Sequence, residues 1–193
     1  EAIDPVRYLS NHSSGKMGFA LAEEAAKRGA DVTLIAGPVS LETPHGVNRI
    51  NVKTAQDMFD ACAGNFDKQD IIIMAAAVAD YTPKVVALEK VKKKAEDWNI
   101  ALKKTKDVLA WIGENKRINQ KLIGFALETE NEQANAVGKL ERKNLDIIVL
   151  NSLKDKGAGF QHNSNKVAII DRNNKVTNFE LKSKEEVAID ILD

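Results

Sequence analysis

Apolar residues follow two patterns that alternate along this chain. One is a helical spacing of Ala, Leu and Phe among charged residues; the other is short, uninterrupted apolar runs. Met17 to Arg28 carries the helical spacing and stops at Gly29, a residue suited to a left-handed cap. Asp31-Val32-Thr33-Leu34-Ile35-Ala36 then reads as a buried strand closed by Gly37-Pro38. Thr54 caps a second helix through Ala63, and Asp70 to Ala77 is another apolar strand. The order continues as a helix over Asp107–Asn115, a strand over Lys121–Ala126, a helix over Glu130–Lys143 and a strand over Asp146–Leu150. Strands without a polar face belong to parallel sheets covered by helices on both sides. The pattern therefore predicts a single α/β domain over 1–193, a Rossmann-like, doubly wound and mostly parallel sheet. Val167 to Leu181 breaks the rhythm and predicts a C-terminal β-hairpin (about 166–181), after which Ser183 caps a last helix.

Ligands of such sheets bind at the carboxyl ends of the strands. Those ends read Ala36-Gly37-Pro38, Ala75 to Asp80, Gly124-Phe125-Ala126 and Asn151, mostly small residues that let a ligand approach the backbone. The first helix opens on Asn11-His12-Ser13-Ser14-Gly15-Lys16-Met17-Gly18. This is neither a P-loop, which needs a further Gly where Ser10 stands and a Ser or Thr where Met17 stands, nor the three-glycine dinucleotide fingerprint. Polar residues and Gly15 at a helix start favour an anion, through free N–H groups and the helix dipole. The ordinary alternative is that Ser13 or Ser14 caps the helix while Gly15 and Gly18 let it pack closely on the sheet. Tyr81 to Lys104 lacks core periodicity and carries Lys90, Lys92, Lys93 and Lys94. It reads as a flexible basic flap (about 82–104) or as a solvated surface.

Charge narrows the class. Twenty-eight basic and 28 acidic residues cancel, so no global field recruits nucleic acid or a membrane surface. The single Cys62 falls in a helical stretch and fits a reducing, cytoplasmic setting. His12, His45 and His162 lack ligand spacing, so no protein-held metal is expected. No apolar run approaches a membrane span. Asp80, at a strand end, serves equally as a turn cap, a ribose ligand or a partner of metal-bound water. Lys139 and Lys143, four apart on one helix face, can meet on one anion, or they belong to a solvated face with Glu141 and Arg142.

Several motifs occur together in a fixed order: Asp4-Pro5-Val6-Arg7-Tyr8, Asn11 to Gly18, Ala75-Ala76 with Val78-Ala79-Asp80-Tyr81, Glu89 to Lys93, Gly124-Phe125-Ala126-x-Glu128-Thr129 and Lys143-Asn144-Leu145-Asp146. In this the chain closely resembles the phosphopantothenate–cysteine ligase family, whose bacterial members are often fused to a flavin-dependent (FMN) decarboxylase. The resemblance implies that CTP, with Mg²⁺, and 4′-phosphopantothenate form an acyl-cytidylate, from which the amine of cysteine displaces CMP.

On the same ground Asn11, Lys90 and Arg7 are candidate catalytic residues. Asn11 would contact the reacting carboxylate, Lys90 the triphosphate, and Arg7 substrate or a partner subunit. Met74, Ala75, Ala76, Asp80, Asp107, Val108, Leu109, Phe125, Lys139 and Lys143, with Ser14 and Gly15, would bind the nucleotide or the anion at the helix start. The family is dimeric, and an apolar edge hairpin at Val167–Leu181 is the expected contact. Two departures are visible: the family's first strand and Gly-rich turn are not among these residues, and Thr105-Lys106-Asp107 stands where Asn-Pro-Asp is usual. An NAD(P)-binding oxidoreductase and a non-catalytic nucleotide-binding module share the fold and stay open as alternatives. The first should show three glycines and an acidic residue closing the second strand, where Ala36-Gly37-Pro38 stands.

Overall fold

The computed structural model describes residues 1–92, 97–128, 130–152 and 162–193. In chain order the main elements are α1 (Lys16–Lys27), β1 (Val32–Ala36), β2 (Val47–Asn51), α2 (Ala55–Asn65), β3 (Ile71–Met74), β4 (Tyr81–Pro83), β5 (Leu102–Lys104), α3 (Val108–Asn115), β6 (Lys121–Glu128), α4 (Glu132–Arg142), β7 (Ile147–Ser152), β8 (Ser164–Asn165), β9 (Val167–Asp171), β10 (Val176–Asn178), β11 (Lys182–Ser183) and α5 (Lys184–Leu192).

The main sheet has the order β10-β9-β7-β6-β3. Its β3–β6 and β6–β7 pairs are parallel, and the expected hairpin joins it as antiparallel β9 and β10. Alternate residues explain why the strands read as continuous apolar runs. Leu122, Ile148 and Ile170 face a core shared with α2, α3 and α4, whereas Ile123, Val149 and Val167 face a second core with α1 and α5. Both faces are covered, so neither needs polar residues.

Three features depart from the sequence reading. Strand β2, with its mixed Val47-Asn48-Arg49-Ile50-Asn51, pairs in parallel with β1 and has no apolar run to announce it. The β1–β2 pair is hydrogen-bonded apart from the main sheet, and β1 and β3 face a common cavity instead of each other's backbone. The two ends of the Tyr81–Lys104 stretch pair as antiparallel β4 and β5. Leu102, Lys103 and Lys104 are all exposed, which is why no core periodicity marks them.

Local signals hold well elsewhere. Thr54 with Asp57, and Ser183 with Glu186, form reciprocal capping boxes at α2 and α5. Gly29, at φ 86°, follows the end of α1. At α1 itself the expected serine cap is not found: Gly15 holds the N-cap position at φ 77°, without a side-chain cap bond. Among the described residues no helix is long and apolar enough to cross a membrane.

The turn after α4 ties the layers together. Asn144, at φ 50°, donates to the Gly113 carbonyl (2.7 Å), and Leu145 is buried. Asp146 accepts from Lys116 and from the Leu122 N–H, with Arg172 Nε at 3.3 Å. Burial would raise the Asp146 pKa, but these donors outweigh it and hold the carboxyl below its usual range. Its stabilisation is therefore present above the ordinary carboxylate pKa and lost as pH falls through the depressed value. Asp146→Asn leaves Lys116 without its counter-charge and is expected to cost about 2 kcal/mol. For a chain of this size that lowers Tm by roughly 4–8 °C. Thermal unfolding of both proteins against pH checks this: the gap should be full at neutral pH and narrow on acidification.

Candidate active site

A cavity of about 660 Å³ opens at the carboxyl ends of the strands, between the β1–β2 pair and the main sheet. Its rim includes Ala36-Gly37-Pro38 after β1, Met74 to Asp80 after β3, Phe125 on β6 and Asn151 on β7. The start of α1 closes one side. A Cβ on Gly18 would sit 4.0 Å from that of Ala75, so the helix rests directly on the strand end. A Cβ on Gly15 would lie 3.1 Å from Val39. Glycine at this position meets both its positive φ and the tight approach.

Asn11 spans the opening. Its Nδ2 donates to the Ala77 carbonyl, while its Oδ1 accepts the Ser13 N–H at 2.9 Å. The amide plane is thereby fixed between the small-residue loop after β3 and the turn into α1. The second N–H of Asn11 has no partner among the described residues.

Opposite lies a cationic wall. Asp107 caps α3 by accepting the Ala110 N–H (2.9 Å) and pairs with Lys143 Nζ at 2.6 Å. Burial raises its pKa, yet Lys143 and the Ala110 N–H more than offset this and leave it lowered. Lys139 donates to the Phe125 carbonyl at 2.8 Å. Desolvation depresses the Lys139 pKa against the opposing pull of Glu128 and Asp107. Asp80 is exposed, and the next strand is anchored to it: Thr105 N–H donates to the Asp80 carbonyl at 3.0 Å, and the Thr105 hydroxyl to the Ala79 carbonyl at 2.6 Å. Val108 is buried and Leu109 borders the cavity.

The structure thus brings Asn11, Ser14, Gly15, Met74, Ala75, Ala76, Asp80, Asp107, Val108, Leu109, Phe125, Lys139 and Lys143 around one space. Two candidates stand outside its lining. Lys90 is exposed on the segment between β4 and β5. Arg7 is held within its own chain, by Asp4, by the Val91 carbonyl at 2.9 Å and by the Trp98 ring at 4.4 Å. Lys93 and Lys94 of the lysine cluster, and Thr129, lie outside the described residues.

Sequence reasoning gave no site role to Asp4, Lys106 or Asn151. Lys106 stacks on Phe59 at 4.2 Å and lines the cavity. The buried Oδ1 of Asn151 has no hydrogen-bond donor among the described residues, which suits a ligand N–H or O–H. Cys62 borders the cavity but is buried, with its thiol pKa pushed up to about 11, so it is no nucleophile. Among the described residues no three His, Cys, Asp or Glu side chains converge as a metal cage. Exposed large apolar side chains gather on the N-terminal segment and the β4–β5 region, at Tyr8, Val85, Leu88 and Trp98, more than on the hairpin.

Comparisons with known proteins place the chain in a family. All 193 residues match the family model described as DNA/pantothenate metabolism flavoprotein C-terminal domain. A Haemophilus influenzae protein named coenzyme A biosynthesis bifunctional protein CoaBC is 50% identical over 192 residues, which cover 100% of this chain and 48% of that protein. A protein of an unknown prokaryotic organism, named cysteine/cysteine sulfinic acid decarboxylase, is 52% identical over 193 residues, covering 100% of this chain and 54% of that protein. The chain spans about half the length of the curated relatives it matches. Among solved structures, the C-terminal domain of a CoaBC protein is 42% identical with a TM-score of 0.83, covering 100% of this chain and 88% of that one. A Streptococcus pneumoniae DNA/pantothenate metabolism flavoprotein, 24% identical with a TM-score of 0.84 over 100% of this chain and 92% of its own, shares the fold.

Asp107 has two separable tasks, capping and pairing. Asp107→Ala is expected to lose about 1 kcal/mol of stability with the cap. Asp107→Asn keeps a capping oxygen, so its Tm should stay near the parent value while Lys143 loses its fixed partner. Denaturant unfolding of the two variants side by side checks this, and equal losses would contradict it.

Proposed function

The chain belongs to the DNA/pantothenate metabolism flavoprotein C-terminal domain family, and on that premise we propose that it is a CTP-dependent phosphopantothenate–cysteine ligase domain in coenzyme A biosynthesis. The observation that carries the reading is the cavity itself. It sets a clamped asparagine amide against two lysines and the exposed backbone of Met74-Ala75-Ala76.

In the proposed reaction the carboxylate of 4′-phosphopantothenate attacks the α-phosphorus of CTP, forming an acyl-cytidylate and expelling pyrophosphate. The amine of cysteine then attacks the acyl carbonyl; CMP leaves with the electron pair of the cleaved bond, and the amine gives up a proton. Two anions must meet in the first step, so cations around the phosphates lower the barrier. Lys139 on α4 and Lys143 at its C-terminal cap are placed for this, and Lys90 is the third cation, carried on the flap. Mg²⁺ would further screen the triphosphate. Exposed Asp80 in the cavity lining would meet a metal that arrives on the substrate, because Mg²⁺ needs only one or two carboxylates when phosphates supply the other oxygens.

Asn11 suits the acyl carbon. Its unpartnered N–H can donate to the oxygen that becomes negative as cysteine attacks, and a neutral amide does not over-stabilise the starting carboxylate. The unsatisfied Asn151 oxygen offers an acceptor for a hydroxyl or amide N–H of the pantothenate arm. The backbone after β3 would read the cytosine edge, with Phe125 and Val108–Leu109 as its apolar surround. A homodimer and a fused flavin-dependent decarboxylase complete the reading, as in the family.

Pyrophosphate release that requires CTP and 4′-phosphopantothenate together, followed by cysteine-dependent CMP release, tests the proposal. A nicotinamide oxidoreductase or a non-catalytic module would give neither. Asn11→Asp places a carboxylate where the substrate carboxylate must come and removes the donor. Coupling to cysteine should fall about 100-fold or more, the usual cost of losing one oxyanion donor. CTP affinity by calorimetry should change less than about threefold. An unchanged coupling rate would remove Asn11 from the mechanism.

A further inference from the structure

The segment that carries Lys90 is held by few contacts. Val85 and Leu88 are 82% and 95% exposed, so burial does not fix it. Among the described residues its backbone ties between β4 and Val91 are Lys84 N–H to the Ala101 carbonyl (2.8 Å), Ala87 N–H to the Ile3 carbonyl (3.0 Å), and a pair of bonds at Val91. That last pair is unusual. The Val91 N–H donates to Asp4 Oδ2 at 3.2 Å, and the Val91 carbonyl accepts from Arg7 Nη2 at 2.9 Å. Both backbone groups of one flap residue thus end on the two members of a single ion pair.

The pair is itself firmly set. Asp4 is 3% exposed; its Oδ1 accepts the N–H groups of Val6 (2.9 Å) and Arg7 (2.8 Å), and its Oδ2 accepts Arg7 Nε at 3.0 Å. Bonding to Arg7 holds the Asp4 carboxyl far below the usual carboxylate range, so the pair is ionised at neutral pH. The guanidinium lies 4.4 Å from the Trp98 ring centroid, beyond Val91 along the chain. Arg7 therefore meets this stretch of chain at two points, with one hydrogen bond to Val91 and its face at Trp98.

We propose that Asp4 is a positioning residue for the reaction: with Arg7 it forms a latch on Val91 that sets where the neighbouring Lys90 ammonium is presented to the triphosphate. This rests on the ligase reading above, and it replaces direct substrate binding by Arg7 with action through Lys90. A lysine at position 7 would keep the charge but lose the fork and the stacking, so it should not substitute.

The test combines hydrogen exchange with a mutant cycle. In Asp4→Asn the Val91 amide should lose protection while the amides of β6 and β7 keep theirs. If release leaves the flap in its competent place about a tenth of the time, the KM for CTP in pyrophosphate release rises about tenfold, with kcat within about twofold. Adding Asp4→Asn to Lys90→Ala should then change KM no further, because the latch acts only through that lysine. Arg7→Lys should repeat the Asp4→Asn result, and serves alone if Asp4→Asn does not fold. An unchanged Val91 exchange rate overturns the latch. Faster exchange with an unchanged KM, or losses from Asp4 and Lys90 that add, overturns its role in the reaction. Absence of pyrophosphate release from the unsubstituted protein overturns the ligase reading, and with it this use of Asp4, while the exchange result still reports on the latch.

Discussion

The close approach of the turn after α4 to α3 and β6 is the constraint on which the rest depends. A Cβ on Gly113 would sit 2.0 Å from the Lys143 carbonyl oxygen, and one on Gly124 would sit 2.7 Å from Leu145 Cδ1. No side chain fits at Gly113, so α3 and the turn meet backbone to backbone there, while the bare Gly124 leaves room on β6 for the Leu145 side chain. From that contact Lys143 reaches up to Asp107 at the mouth of the cavity, while three residues on Asp146 gathers Lys116 and Arg172 on the other side. One short turn therefore sets both a structural ion cluster and half of the site's cationic wall.

The cavity owes its shape to a related economy. The main sheet and the β1–β2 pair are joined by helices that pack on both, not by hydrogen bonds between β1 and β3. Ile35 and Ile50 of the smaller pair pack on the same core as Leu122 and Ile148 of the larger sheet. The backbone of β3 and its continuation is thus open to a ligand, and the alanines there keep side chains out of the way. Asn11 closes the arrangement by bonding across it, tying the turn into α1 to the loop after β3.

Much of this was legible in the sequence because it is local or periodic. Caps at Thr54 and Ser183, the stop at Gly29 and the doubly buried strands each follow from a few adjacent residues. The elements that escaped notice lack such a signature. β2 alternates too weakly, and β4 and β5 are three-residue strands with exposed sides, formed only because the chain brings them together. The same distinction runs through the site. The small strand ends and the two lysines at the end of α4 and its cap announce themselves, as does Asn11 within its motif. The unsatisfied oxygen of Asn151 and the capture of Val91 by Asp4, 87 residues away, exist only in three dimensions. A serine cap at α1 was a sound expectation on local grounds. It lost to the left-handed Gly15, which turns the chain beneath Val39 where a side chain would crowd.

The charges show how a neutral chain can gather cations at a cavity. Two of them are each committed to a local acceptor, Lys143 to Asp107 and Lys139 to the Phe125 carbonyl, as Arg7, outside the cavity, is to Asp4. Such bonds hold a long, flexible side chain in one place, so less conformational entropy remains to be lost when an anion arrives. They also keep the empty site from repelling itself. In the proposed reaction the triphosphate would compete with partly exposed partners such as Asp107, not with a buried carboxylate such as Asp4. The division of labour follows from burial: pairs at the rim can open to substrate, whereas the pair beneath the flap stays closed and fixes geometry.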